Sequence, residues 1–197
     1  MYIIKYFYIA LGWVRCLLSW LLHEVIMAEV KLKGTATQTN GKLPAKGQKA
    51  PEIRCVDVEL KEKTLADFKG QKKIVCFVPS LDTAVCSMSA QKFSEAVKKI
   101  PNTVVLYVSV DTPFALKRVC VAENGQENGM SRIIPLSLLR SKKTAEDYGV
   151  LIKDGPLAGV CARGVVVLDA NDQVIYSQLV DEITTEPNYD AALKALE

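Results

Sequence analysis

The chain holds a single histidine, His23, among 197 residues, and none of its six cysteines forms a Cys-x-x-Cys pair. Structural zinc draws on closely spaced pairs of such ligands, so no resident metal is expected, and no cofactor is called for. There is little net charge either. The 25 basic and 22 acidic residues leave +3, dispersed along the chain. Nucleic-acid binding needs a concentrated basic face, so no nucleic-acid partner is expected. The cysteines (Cys16, Cys55, Cys76, Cys86, Cys120 and Cys161) are irregularly spaced. A chain of this length buries enough apolar surface without staples, which argues against a secreted disulfide framework.

A clean membrane span is also lacking. Residues 1–26, MYIIKYFYIALGWVRCLLSWLLHEVI, are apolar and contain both tryptophans, but Arg15 interrupts them and the uncharged run before it covers only residues 6–14. A spanning helix wants about 20 apolar residues, and a central arginine costs roughly 2.5–3.5 kcal/mol on insertion scales. The segment therefore reads as an upstream translation artefact with Met27 the true start, as a signal or anchor, or as an amphipathic surface helix. Membrane contact, or a periplasmic location, is expected only if residues 1–26 are real; otherwise the location is cytoplasmic. Residues 27–197 read as one domain of ordinary soluble composition, in a chain with 24% charged and 49% hydrophobic residues.

From Met27 the pattern alternates strand and helix signals. Val30–Lys33 and Thr35–Thr39 are β-like, and Asn40-Gly41 is a two-residue hairpin signal, so an N-terminal hairpin turning there is expected. A short strand follows at Ile53–Val58, then a capping-box turn at Thr64–Asp67. Lys73–Val78 and Thr103–Val110 are continuous apolar strands. Between them, residues 85–99 form a helix with Val85, Met88, Phe93, Val97 and Ile100 facing inward. Asp111-Thr112-Pro113 looks like an N-cap with proline just inside, starting a helix that runs to about Ala122 and stops at Asn124-Gly125. Ile133–Leu136 is a strand and Ser141–Tyr148 a helix. Gly164–Leu168 and Val174–Leu179 form a hairpin, and Tyr189–Leu196 is a terminal helix. The early strand–helix–strand units should be parallel with right-handed crossovers and the late hairpin antiparallel. The result is an α/β thioredoxin-like fold: a mixed central sheet flanked by helices, with an added N-terminal β-hairpin.

Chemistry concentrates where the first buried strand ends. Pro79-Ser80-Leu81-Asp82-Thr83-Ala84-Val85-Cys86 lies between strand and helix. Cys86 then falls in the first helical turn, where backbone N–H groups lack partners and the dipole is positive. Helix N-termini and nearby cations lower thiol pKa values, and the thiolate is the nucleophile. Cys120 offers a second thiol. Buried cysteines are commonly small hydrophobes, which suits Cys76, Cys55 and Cys161. Taken alone, Thr83 suits a helix cap and Arg163 a surface ion pair, although its apolar surroundings, Val160 to Val167, favour an inward role.

Pro79-x-x-x-Thr83-x-x-Cys86 resembles the peroxiredoxin active-site signature, and the longer Pro79-Ser80-Leu81-Asp82-Thr83-x-Val85-Cys86 resembles the bacterial thiol peroxidases, the atypical two-cysteine branch. Asp111-x-Pro113-Phe114-Ala115-x-Lys117-Arg118-x-Cys120, Glu146–Val150, Gly155–Gly159, Ala162-Arg163 and Glu182-Ile183-Thr184 are similar to that family too, over roughly residues 28–197. The resemblance implies that Cys86 attacks hydrogen peroxide or organic (alkyl, lipid) hydroperoxides and becomes a sulfenic acid. It implies that Thr83 hydrogen-bonds the thiolate or peroxide, that Pro79 shapes and shields the loop, and that Arg163 stabilises charge in the pocket. Cys120 is implied as the resolving cysteine, closing an intrachain disulfide that thioredoxin reduces, in a protein that often forms homodimers. A disulfide needs Cα atoms about 4.4–6.8 Å apart, and the two cysteines sit on different helices, so local unwinding during turnover is expected. One departure stands out: Ala84 occupies a position where the family often has proline, which should change rate rather than abolish function. A non-enzymatic redox sensor is the competing reading. A disulfide oxidoreductase is disfavoured because Cys86-Ser87-Met88-Ser89 lacks a second cysteine.

Overall fold

The computed structural model describes residues 27–120 and 132–197. Nine strands and four helices follow in the order β1 (Glu29–Leu32), β2 (Thr35–Gln38), β3 (Arg54–Val56), β4 (Glu62–Thr64), β5 (Lys72–Phe77), α1 (Ala84–Val97), β6 (Thr103–Ser109), α2 (Pro113–Cys120), β7 (Ile133–Ser137), α3 (Lys143–Asp147), β8 (Gly164–Leu168), β9 (Val174–Leu179) and α4 (Tyr189–Lys194). A 3-10 turn, Leu65–Phe68, is held by the reciprocal capping box of Thr64 and Asp67. Seven strands make one sheet in the order β4-β3-β7-β6-β5-β8-β9. β5 pairs parallel with β6, and β6 with β7, while β8 lies antiparallel to both β5 and β9. This is the mixed, thioredoxin-like sheet expected from the alternation.

Central strands are buried on both faces, which is why they read as unbroken apolar runs. On β5, Ile74 and Cys76 join one core with residues of α1, α2 and α4; Val75 and Phe77 join the other with Ala145 of α3 and Tyr148. Phe77 and Tyr148 stack at 4.8 Å between centroids. On α1 the inward stripe is Cys86, Ser89, Ala90, Phe93, Ser94 and Val97. Met88, expected inside, is 41% exposed. Small residues at 89 and 90 let the helix lie close to the sheet, and an i, i+3, i+4, i+7 stripe that includes Phe93 and Val97 excludes position 88.

The N-terminal hairpin exists but turns elsewhere. Leu32 pairs with Thr35 across a two-residue turn, Lys33-Gly34, with φ of 51° and 81°. Asn40 serves the tertiary structure instead. Its amide donates to the Glu146 carbonyl and accepts the Leu151 N–H. Gly41 lies against Gly149, at φ 69°, where an added Cβ would stand 2.4 Å from the Lys42 backbone. The cap of α2 also differs: the Thr112 hydroxyl accepts the Ala115 N–H, and Asp111 points elsewhere. The expected end of this helix, Ala122 to Asn124-Gly125, lies outside the described residues, as do Cys16 and His23. Strand β4 was not expected, since Glu62-Lys63-Thr64 carries no apolar pattern and pairs only with β3. No helix among the described residues is long and apolar enough to cross a membrane.

Candidate active site

β5 delivers the chain to Pro79 at the end of the sheet where β6 also ends; the Val78 N–H still bonds the Val108 carbonyl. The loop that follows is fastened from β6. The Asp111 carboxylate accepts the Leu81 N–H at 2.7 Å and the Ser109 hydroxyl at 2.8 Å. Pro79 and Leu81 are buried, while Asp82, Thr83 and Ala84 are exposed. Thr83 is the N-cap of α1 by backbone conformation, but its hydroxyl donates to the Ser80 carbonyl and makes no cap hydrogen bond. The loop's own carbonyl thus takes the hydroxyl that the resemblance assigns to the sulfur.

Cys86 is the third residue of α1, its side chain fully buried. Arg163, just before β8, is 3% exposed, and its Nη2 lies 3.4 Å from Cys86 Sγ. The guanidinium is aimed by a second bond, from Nε to the Ile183 carbonyl at 3.0 Å. Its remaining nitrogen, Nη1, is buried without a partner. An unpaired buried donor costs about 1–3 kcal/mol, so an acceptor oxygen entering beside the sulfur would recover free energy. Below the sulfur, the Tyr107 hydroxyl donates to the Cys86 carbonyl at 3.0 Å. A tyrosine in the buried strand Thr103–Ser109 needs a partner for its hydroxyl; that is the sequence signal that marks Tyr107, which, like Asp111 and the Ile183 carbonyl, was not read as part of the site.

Cys120 is the last described residue of α2 and belongs to the same buried cluster as Cys86. Both are free thiols. Burial pushes the Cys120 thiol up to about 11, so in this conformation it is protonated at neutral pH. At the surface α2 is bridged to the loop before α1, where Arg118 Nη2 meets Asp82 Oδ2 at 2.7 Å. Of the other cysteines, Cys76 shares the buried cluster of Cys86 and Cys120, while Cys55 and Cys161 lie in the other. Burial raises Cys55 to about 12, against a smaller opposing hydrogen bond from Thr144. Cys76 is also pushed up by burial, which outweighs the Arg163 charge, and Cys161 is pushed up in the same way. Cys161 packs with Cys55 on the opposite side of the sheet from Cys86.

A cationic donor held against a buried sulfur at a helix start suits a reaction in which negative charge forms on sulfur and on a departing oxygen. Comparison with known proteins agrees. The Redoxin family model matches residues 45–193. Thiol peroxidase of Corynebacterium glutamicum is 46% identical over 170 residues, covering 86% of this chain and 99% of that protein. Thiol peroxidase of Leptospira interrogans is 42% identical, covering 86% and 97%. Among solved structures, the peroxiredoxin-like protein from Aquifex aeolicus superposes with a TM-score of 0.77 at 39% identity, covering 86% of this chain and 96% of that one. With the matched region spanning most of the chain and the sulfur–guanidinium pair inside it, the protein belongs to the redoxin family, and within it to the thiol peroxidases, enzymes of the peroxiredoxin type.

Proposed function

We propose that this thiol peroxidase reduces hydrogen peroxide and organic hydroperoxides through Cys86 and Cys120. The Cys86 thiolate attacks the terminal peroxide oxygen, which transfers as OH; the O–O electron pair stays on the departing oxygen, which takes a proton from solvent and leaves as alcohol or water, and sulfur is oxidised to the sulfenic acid. Arg163 stabilises charge on sulfur and on the leaving oxygen. Pro79 fills the base of the loop and keeps water from the sulfur. Thr83 turns its hydroxyl to the sulfur or the peroxide once the Ser80 bond is released. The Cys120 thiol then displaces hydroxide from the sulfenic sulfur, giving an intrachain disulfide and water. The dithiol of thioredoxin reduces it, returning both thiols. The observation that carries this reading is the 3.4 Å approach of the Arg163 guanidinium to a buried sulfur three residues into a helix.

The working unit is residues 27–197, acting as a homodimer. Five free cysteines among the described residues suit a reducing compartment and support a cytoplasmic site of action. Hydroperoxide consumption driven by a thioredoxin system tests the scheme. Cys86→Ser should abolish it. Cys120→Ser should still consume one equivalent per chain but fail to turn over with thioredoxin. Sustained turnover by Cys86→Ser would overturn the assignment.

A further inference from the structure

Arg163 is aimed by a carbonyl, that of Ile183, and that carbonyl lies in an irregular segment following β9. It lies outside the named strands and pairs at one isolated parallel bridge, Glu182 with Lys31, so side-chain bonds add to what fixes it. The structure supplies a tie from the far end of the chain. The Lys33-Gly34 turn between β1 and β2 has positive φ at both residues, the primed geometry that matches the twist of a hairpin. It presents two successive N–H groups to one side chain, Glu182. Oε1 accepts the Lys33 N–H at 3.1 Å and Oε2 accepts the Gly34 N–H at 2.9 Å. The same carboxylate accepts the Thr184 N–H at 3.1 Å and the Thr184 hydroxyl at 2.7 Å. Two backbone bonds flank it: Lys31 N–H to the Asp181 carbonyl at 2.6 Å, and Ile183 N–H to the Lys31 carbonyl at 2.8 Å. Ile183 is thereby held on both sides. Hydrogen bonds to the charged form hold the Glu182 carboxyl at about 2, first from the Thr184 hydroxyl and then from the Gly34 N–H.

We propose that Glu182 is a positioning residue for the peroxide reaction: by clamping the hairpin turn to the segment 181–184, it fixes the carbonyl that orients Arg163 toward Cys86. The proposal rests on the reading of Cys86 and Arg163 given above. Glu182 touches neither the sulfur nor the peroxide; it acts through a bond it does not itself make. Glu182→Gln keeps the shape but replaces one acceptor oxygen with a donor, facing an N–H it can no longer accept.

The measurement is the single-turnover rate of Cys86 oxidation by hydrogen peroxide in the full chain. Glu182→Gln should lower it about tenfold, as expected when a reacting group is displaced by a fraction of an ångström. Arg163→Met should lower it by about a hundredfold or more. In the double variant the Glu182 change should have no further effect, because its only route to the sulfur is gone. Equal losses in both backgrounds, or no loss in the wild-type background, would overturn the proposal. Full speed in Arg163→Met would instead overturn the reading of Arg163, so the two failures are distinguishable. If Glu182→Gln does not fold, Thr184→Val, which deletes one donor to the carboxylate, should show a smaller loss that also vanishes beside Arg163→Met; persistence of that loss would count against the clamp.

Discussion

At the scale of single residues, the site depends on polar groups placed where the surroundings are apolar. Tyr107 is the clearest case. Its ring fills the core beneath α1, and its hydroxyl reaches the carbonyl of Cys86 itself. Tyr107→Phe keeps the packing and leaves that buried carbonyl without the bond. We expect a loss of about 1–3 kcal/mol of stability, read as a lower midpoint in chemical denaturation, and slower peroxide reduction because the first turn of α1 is less firmly held. A variant with unchanged midpoint and unchanged rate would mean that the bond contributes nothing. Surroundings also separate the other buried sulfurs from the two proposed to react. Cys55, at about 12, and the still more strongly raised Cys76 and Cys161 are thiols at any physiological pH. Peptide mapping after peroxide treatment should find them unoxidised in the folded protein.

At the scale of elements, the reduced state poses a geometric problem. Cys86 is enclosed in the first turn of α1 and Cys120 is buried on α2, and an external reductant must reach the sulfur it attacks. A thiol raised to about 11 is also a poor nucleophile until burial is relieved. Opening answers both needs. On oxidation to the proposed disulfide, hydrogen-exchange protection should fall in the first turn of α1 and the turn of α2 that holds Cys120 while β5 and β6 keep theirs. Unaltered protection in both turns would mean that the bond forms without unwinding.

The same elements show what the sequence made legible. β5 and β6 were readable because both their faces are buried, and the strand–loop–helix passage from Pro79 to Cys86 because an apolar run gives way to a short polar loop and then to an amphipathic run. The hairpin turn was not readable in place. Asn-Gly is the better local turn, but Asn40 is used to bond Glu146 and Leu151, and lysine accepts a positive φ at position 33 where its neighbour Gly34 completes the turn. β4 was hidden because three polar residues carry no period. Asp111 was read as part of the N-cap of α2, but that it meets the Leu81 N–H instead depends on tertiary contact. The pairing of Arg163 with Cys86 entered through family likeness; nothing in the local pattern around Arg163 points to a residue on another element.

For the molecule as a whole, buried thiols set a pH limit. Cys55, Cys76, Cys120 and Cys161 all have folded-state values above the ordinary 9.0. A raised value means that the folded state holds its proton more tightly than the unfolded chain does. This contribution is fully present below pH 9.0 and is lost progressively as pH rises through the folded values, about 11 for Cys120 and about 12 for Cys55. The melting temperature should therefore fall steeply above pH 9, and replacing Cys55 by alanine should flatten the decline while exacting a separate cost for the cavity. A melting temperature level from pH 9 to 11 would contradict this.

The partnership of sulfur and guanidinium spans 77 residues of sequence. A ribosome adding roughly 5–20 residues per second leaves an interval of roughly 4–15 seconds between the emergence of Cys86 and that of Arg163. The tether through Glu182 comes later still. A nascent chain thus carries its cysteine before the cation beside it exists, and the sulfur–guanidinium pair is completed late in biosynthesis.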